Sequence, residues 1–99
     1  MKLWIDDIRP APEGYVWIKS VNTAKLVIEF KEHQKRPVEL IDIDYDAGDF
    51  FFLGGDYIKL LDWLEETDRN YPIRIHSMNA VGVENMRRII RKNGWTEVK

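Results

Sequence analysis

The run Leu40-Ile41-Asp42-Ile43-Asp44-Tyr45-Asp46-Ala47-Gly48-Asp49 constrains this chain more than any other. Leu40, Ile41 and Ile43 read as a buried strand, and carboxylates then crowd around a glycine where that strand ends. Unpaired carboxylates repel one another, so four aspartates in eight residues are tolerable only if water hydrates them or cations and hydrogen-bond donors neutralise them. The end of this strand is therefore the first place to look for a site.

The rest of the chain supplies the setting. Ninety-nine residues make one domain, residues 1–99, with room for a single hydrophobic core. A hydrophobic share of 44% with twelve aromatic residues excludes a disordered chain. The absence of cysteine excludes disulfides and thiol chemistry and fits a reducing compartment. No stretch reaches the ~20 apolar residues of a membrane span, and Met1-Lys2-Leu3-Trp4-Ile5-Asp6-Asp7 lacks a secretory pattern, so a cytoplasmic location is expected. A net charge of −2 does not suit a dedicated nucleic-acid-binding domain, although Arg87, Arg88, Arg91 and Lys92 gather on one late helix.

Along the chain, Leu3-Trp4-Ile5 reads as a first strand that stops at Asp6-Asp7. Residues 9–14, with Pro10, Pro12 and Gly14, form a loop before a second strand, Tyr15 to Ile18. A helix from Ser20 carries Val21, Ala24, Val27 and Ile28 on one face, and His33 near its end reads as solvated surface. Val38 to Ile43 is the third strand and Tyr57 to Glu66 the second helix, striped by Ile58, Leu61 and Leu64. The fourth strand, Pro72 to Ile75, ends at His76-Ser77. A third helix from Ala80 to Lys92 turns Val83, Met86, Ile89 and Ile90 inward, and Trp95 to Val98 adds a fifth strand.

Strands alternating with helices predict a three-layer α/β fold around a mostly parallel, five-stranded sheet, with the ligand crevice at the carboxyl ends of the strands. The first two strands are joined by too few residues for a helical crossover, which takes about a dozen or more, so a loop stands in for the first helix. Asp6-Asp7, Asp44-Asp46 and His76-Ser77 would all meet in the crevice. Phe50, Phe51 and Phe52 follow close behind. Two of them are expected to tuck into the core; otherwise they would lid the acidic corner or dock a protein partner.

Asp6, Asp7 and Asp44, with Asp46 or Asp49, make an oxygen-rich set suited to Mg²⁺ or Mn²⁺, and equally to a solvated acidic rim. His76-Ser77-Met78-Asn79 lies between a strand and a helix, where free N–H groups favour an anion and where helix capping is the plainer role. His76 could act as general acid or base; Ser77 and Asn79 could donate to phosphate oxygens. Arg9 could clamp a phosphate or pair with the acids.

Taken together, Trp4-Ile5-Asp6-Asp7-Ile8-Arg9-Pro10-Ala11-Pro12, Asp44-Tyr45-Asp46-Ala47-Gly48-Asp49 and His76-Ser77-Met78-Asn79 with Gly82, Asn85 and Met86 resemble the cyclic-phosphate processing receiver-like domains. The resemblance implies a receiver- or flavodoxin-like fold and a metal-dependent phosphoesterase for cyclic phosphates on nucleotides or RNA ends. In that reading Asp6, Asp7 and Asp44 hold the ion, Asp46 orients the attacking water, and His76 protonates the leaving oxygen. Arg9, Ser77 and Asn79 then hold the non-bridging oxygens. Tyr45 stands where many relatives have histidine, and can donate to phosphate but is a poor base at neutral pH. Ala80 replaces a frequent proline. Two other readings fit the same residues. One is a receiver-type phospho-acceptor at Asp44, for which only the terminal Lys99 could serve as the balancing lysine. The other is a non-catalytic phosphate- or nucleotide-binding module. Oligomeric state is not fixed by the sequence.

Overall fold

A computed structural model describes residues 1–99. Its elements run β1 (Lys2–Ile5), β2 (Tyr15–Ile18), α1 (Val21–His33), β3 (Leu40–Ile43), α2 (Ile58–Glu66), β4 (Ile73–Ile75) and α3 (Ala80–Asn93), with a short 3₁₀ turn at Gly48–Phe50. The sheet is entirely parallel, in the order β2-β1-β3-β4. A fifth strand is not formed: the segment after α3 reaches the right place but makes only the bridge Ile73↔Glu97. Two backbone bonds hold it there, Ile73 N to Thr96 O and Val98 N to Ile73 O.

The strand order explains why there are two layers rather than the three expected. From β2 to β3, β3 to β4, and β4 to the last segment, the chain always steps the same way across the sheet. Right-handed crossovers then set α1, α2 and α3 on one face. Only the β1-to-β2 step runs the other way, and it has no helix to contribute. The core agrees: Leu3, Ile5, Ile18, Ile41, Ile43 and Ile73 share one cluster with Val21, Ala24 and Ile28 of α1, Leu60, Leu61 and Leu64 of α2, and Met86 and Ile90 of α3. These strand residues alternate, as one face of a pleated sheet must.

The opposite face carries Trp4, Tyr15, Trp17, Asp42 and Arg74, and residues 6–14 fold back across it. Trp4 Nε1 donates to Arg9 O at 2.9 Å and Trp17 Nε1 to Asp6 O at 2.7 Å. The indole donors thus pin the loop that replaces the missing helix.

At the far end of the sheet, Glu32 of α1 ties down the connection between α2 and β4. Arg69 grips it with Nε at 3.0 and 3.1 Å and Nη2 at 2.9 Å, and the Tyr71 hydroxyl donates to the same carboxylate. Arg69 and then Tyr71 hold the Glu32 carboxyl below its ordinary range, against the opposing pull of burial. A lowered pKa contributes stability that is present at neutral pH and lost as pH falls through the folded-state pKa. Glu32→Gln is therefore expected to be less stable than the parent at pH 7, with the difference shrinking as pH falls through the lowered folded-state pKa of Glu32. Urea unfolding at pH 7 and in acid measures this; a gap that persists in acid would contradict it.

Candidate functional site

Alternation along the strands builds the site. On the helix-free face, Trp4 precedes Asp6, Asp42 precedes Asp44 and Arg74 precedes His76, each by two residues. Strands β1, β3 and β4 are neighbours, so the three pairs arrive side by side at the carboxyl end.

His76 lies at the centre, its side chain 8% exposed. Its ring stacks on Trp4, with centroids 3.7 Å apart and planes 6° from parallel. Nδ1 lies 2.6 Å from Asp42 Oδ1 and Nε2 lies 3.0 Å from Asp6 Oδ2. Ionised carboxylates only accept hydrogen bonds, so both ring nitrogens are donors as long as Asp6 and Asp42 are ionised. Asp42, fully buried, is also met by Arg74 Nη1 at 3.0 Å. Its burial is tolerable because it has two partners.

Asp6 is nearly as buried and accepts four hydrogen bonds. Oδ1 takes the N–H groups of Ile8 and Arg9, both at 2.9 Å; Oδ2 takes Arg9 Nε and His76 Nε2, both at 3.0 Å. Burial raises its pKa, but those donors and the Arg9 charge outweigh it and hold the carboxyl below its usual range. Arg9 reaches on to Asp44 Oδ2 and the His76 carbonyl, each at 3.2 Å. It thus pairs with the acids, the alternative to a free phosphate clamp.

Asp7 is the odd member. It has no cationic partner, and its pKa is raised, by burial first and then by the charges of Asp6, Asp44 and Asp49. Gly48 explains how it fits. With φ at +52°, the backbone there is left-handed, and a Cβ would lie 2.2 Å from Asp7 Oδ2. One carboxylate oxygen from each of Asp6, Asp7 and Asp44 lies within 4.8 Å of the others. All-oxygen donors this close suit a hard divalent cation. Asp7 and Asp44 have lone pairs to spare, whereas the four sites of Asp6 are filled.

In front of the cluster lies a cleft of about 290 Å³ lined by Asp7, Ile8, Arg9, Asp44, Asp46, Ser77, Met78 and Asn79. Asn79 caps α3 through Oδ1 to Gly82 N at 2.9 Å, and Ser77 Oγ accepts from Asn79 N at 3.2 Å. That is the capping role, but it leaves Asn79 Nδ2 facing Asp46 across the cleft at 3.4 Å. Neither Tyr45 nor His76 lines the cleft. The Tyr45 ring lies flat against the first turn of α3, so close that a Cβ on Gly82 would come within 2.4 Å of it. Phe51 and Phe52 are 58% and 76% exposed, so the expected packing of two of the three phenylalanines into the core does not occur; only Phe50 is half-buried.

Several participants lay outside the sequence reading. In the sequence Asp42 counts among the clustered aspartates but not among the candidate site residues, Trp4 stands in the first strand and the resemblance motif without a role, and Arg74 falls in the fourth strand without one. Residue parity would have found all three, because each sits two positions before a candidate residue on the same face. Tyr57 was also missed. Fully buried below the cluster, it donates from its hydroxyl to Lys19 O at 2.8 Å, and burial and then the nearby aspartates push its pKa up.

A parallel sheet with acids after β1 and β3 and a Ser-x-Asn turn after β4 defines a receiver-like α/β domain. More narrowly, the chain belongs to the cyclic-phosphate processing receiver domain family, whose model matches residues 1–92. Comparison with curated proteins and with solved structures gave no match.

The raised Asp7 carboxyl has a consequence for stability. A group whose folded pKa lies above its unfolded value favours folding in its neutral form, and that advantage is lost as pH rises through the carboxylate range. Asp7→Asn is thus expected to stabilise the protein at pH 7 in EDTA and to have no such effect near pH 3. Thermal unfolding at both values tests this; a destabilised variant at pH 7 would contradict it.

Proposed function

We propose that this domain is a divalent-metal-dependent phosphoesterase that opens cyclic phosphates. The observation that carries the reading is one cleft bordered by carboxylates on one side and by the Ser77-Met78-Asn79 turn on the other, in a family named for cyclic-phosphate processing. Asp7 and Asp44 would hold Mg²⁺ or Mn²⁺, with Asp6 joining when Arg9 gives up its place. When bound, the ion would supply charge neutralisation and Lewis-acid polarisation of a phosphoryl oxygen.

The remaining work falls to the chain itself. Ser77 and Asn79 Nδ2 donate to non-bridging oxygens, and Arg9, released from the acids, adds a bidentate cation. Asp46, exposed at the cleft edge, accepts a proton from the water whose oxygen bonds to phosphorus. The ring P–O bond breaks, and the departing alkoxide takes a proton from solvent, which the open cleft admits. His76 has a different part from the general acid of the sequence reading. With both nitrogens engaged and its ring buried behind Asp6, it is a positioning residue that fixes the carboxylate, as partners behind metal ligands do.

The phospho-acceptor reading is less well supported, since Lys99 is exposed and paired with Glu97 at 3.3 Å, and the cation beside Asp44 is Arg9.

Purified protein is expected to open 2′,3′-cyclic nucleotides with Mg²⁺ or Mn²⁺ and to stop in EDTA. Asp44→Asn should lower kcat/KM at least ~100-fold while the fold survives, the scale of losing a group that acts on the transition state. Undiminished turnover in that variant would sink the assignment. A labile phosphoryl adduct after acetyl phosphate treatment, seen by intact mass, would favour the phospho-acceptor.

Metal binding has its own readout. Mg²⁺ should raise the melting temperature at pH 7, and the increment should fade near pH 4, where protons compete for the carboxylates. An equal increment at both values would argue against these ligands.

A further inference from the structure

The apolar residues at the cleft mouth are not used by the chemistry above. Ile8 and Met78 are the cleft's two large apolar lining residues, and they are 76% and 93% exposed. The strand order puts them on either side of the β3 end, because Ile8 follows β1 and Met78 follows β4. Large apolar side chains this exposed have no folding role, since they bury almost nothing. Beside a phosphate-sized polar floor, they offer contact to whatever the phosphate carries, provided that group is flat and weakly hydrated.

We infer that Ile8 and Met78 hold the base of a free nucleoside cyclic phosphate, and that they select this substrate over a base-free cyclic phosphate. The inference rests on the phosphoesterase reading and adds the substrate class to it. Three observations favour a free nucleotide over an RNA end. At about 290 Å³ the cleft lies just below the usual ligand-pocket range of roughly 300–1,000 Å³, room for one small ligand and no more. The basic helix α3 also offers no continuous track for further phosphates, because three of its four cations already face carboxylates and Arg88, which reaches only Asn85 Oδ1 at 3.5 Å, is left as a single charge. Arg87 pairs with Glu97 at 2.9 Å, Arg91 with Glu84 at 3.1 Å and Lys92 with Glu65 at 3.3 Å. Asp46 and Asp49, both exposed by the site, would repel a polyanion.

The experiment compares 2′,3′-cyclic AMP, glycerol 1,2-cyclic phosphate and an oligoribonucleotide ending in a 2′,3′-cyclic phosphate, each with the parent, Ile8→Ala and Met78→Ala proteins. The parent should prefer cyclic AMP. The ratio of kcat/KM for cyclic AMP to that for the glycerol compound should fall about fivefold in each variant, mainly through KM, the scale of one lost apolar contact. A ratio near one in the parent, or one unchanged in both variants, overturns the inference; preference for the oligoribonucleotide overturns the choice of a free nucleotide. Absence of turnover on all three would overturn the phosphoesterase reading, and the base contact is then read separately from the Met78 methyl resonance. A shift on titration with cyclic AMP but not with the glycerol compound supports the contact; an unmoved resonance overturns it.

Discussion

The imidazole of His76, held between Asp6 and Asp42, is the contact on which the carboxyl end of this sheet depends. Two buried carboxylates on adjacent parallel strands would repel across a medium that screens poorly. One ring with a nitrogen against each carboxylate bridges the two, and Trp4 below and Arg74 beside it complete the packing of the pair. Arg9 extends the same arrangement outward to Asp44. Asp7, beside them, has no cationic partner, and burial together with the charges of Asp6, Asp44 and Asp49 raises its pKa.

This distribution separates a carboxylate whose acceptor sites are filled from carboxylates with sites to spare. Asp6 is saturated with donors and held ionised, which makes it rigid, whereas Asp7, Asp44 and Asp46 face the cleft and can change partner. His76 stands beside the first group by its contacts, with each ring nitrogen against a carboxylate. Tyr45 also lies away from the cleft lining. Its ring covers the Gly82 backbone, where it fills space between the β3 loop and α3, and the glycine is what allows so close an approach.

The convergence of strand ends was legible in the sequence because it depends only on local patterns: apolar runs, the acids that stop them, and turns rich in proline or glycine. The Asp6-Asp7 and Asp44-Asp46 pairs and the Ser77-Asn79 turn were located by those patterns. Pairing was less legible, since whether His76 meets a substrate or a carboxylate depends on which strands are neighbours. The order β2-β1-β3-β4 also decided the layer count. It sends every helical crossover the same way, and no single segment reveals that. The fifth strand failed for a related reason: Trp95 is buried against the core as its apolar character predicts, yet the segment pairs with β4 at one position only.

The missing first helix and the presence of Arg9 at the acids are a single structural fact. A helix between β1 and β2 would cover the second face of the sheet and bury Trp4, Asp42 and Arg74 beneath apolar side chains. Residues 6–14 instead lie across that face, fastened by the two indole donors, and the short path turns at Asp6, whose Oδ1 accepts the N–H groups of Ile8 and Arg9. That turn is what aims the Arg9 guanidinium at Asp6 and Asp44, and it leaves Ile8 at the rim of the cleft. The polar face of the sheet can exist because the loop brings polar partners to it: the Arg9 carbonyl for Trp4, the Asp6 carbonyl for Trp17 and the Arg9 guanidinium for Asp6 and Asp44. Burying three charged or hydrogen-bonding side chains under a helix would have required partners that an amphipathic helix of ordinary composition does not carry.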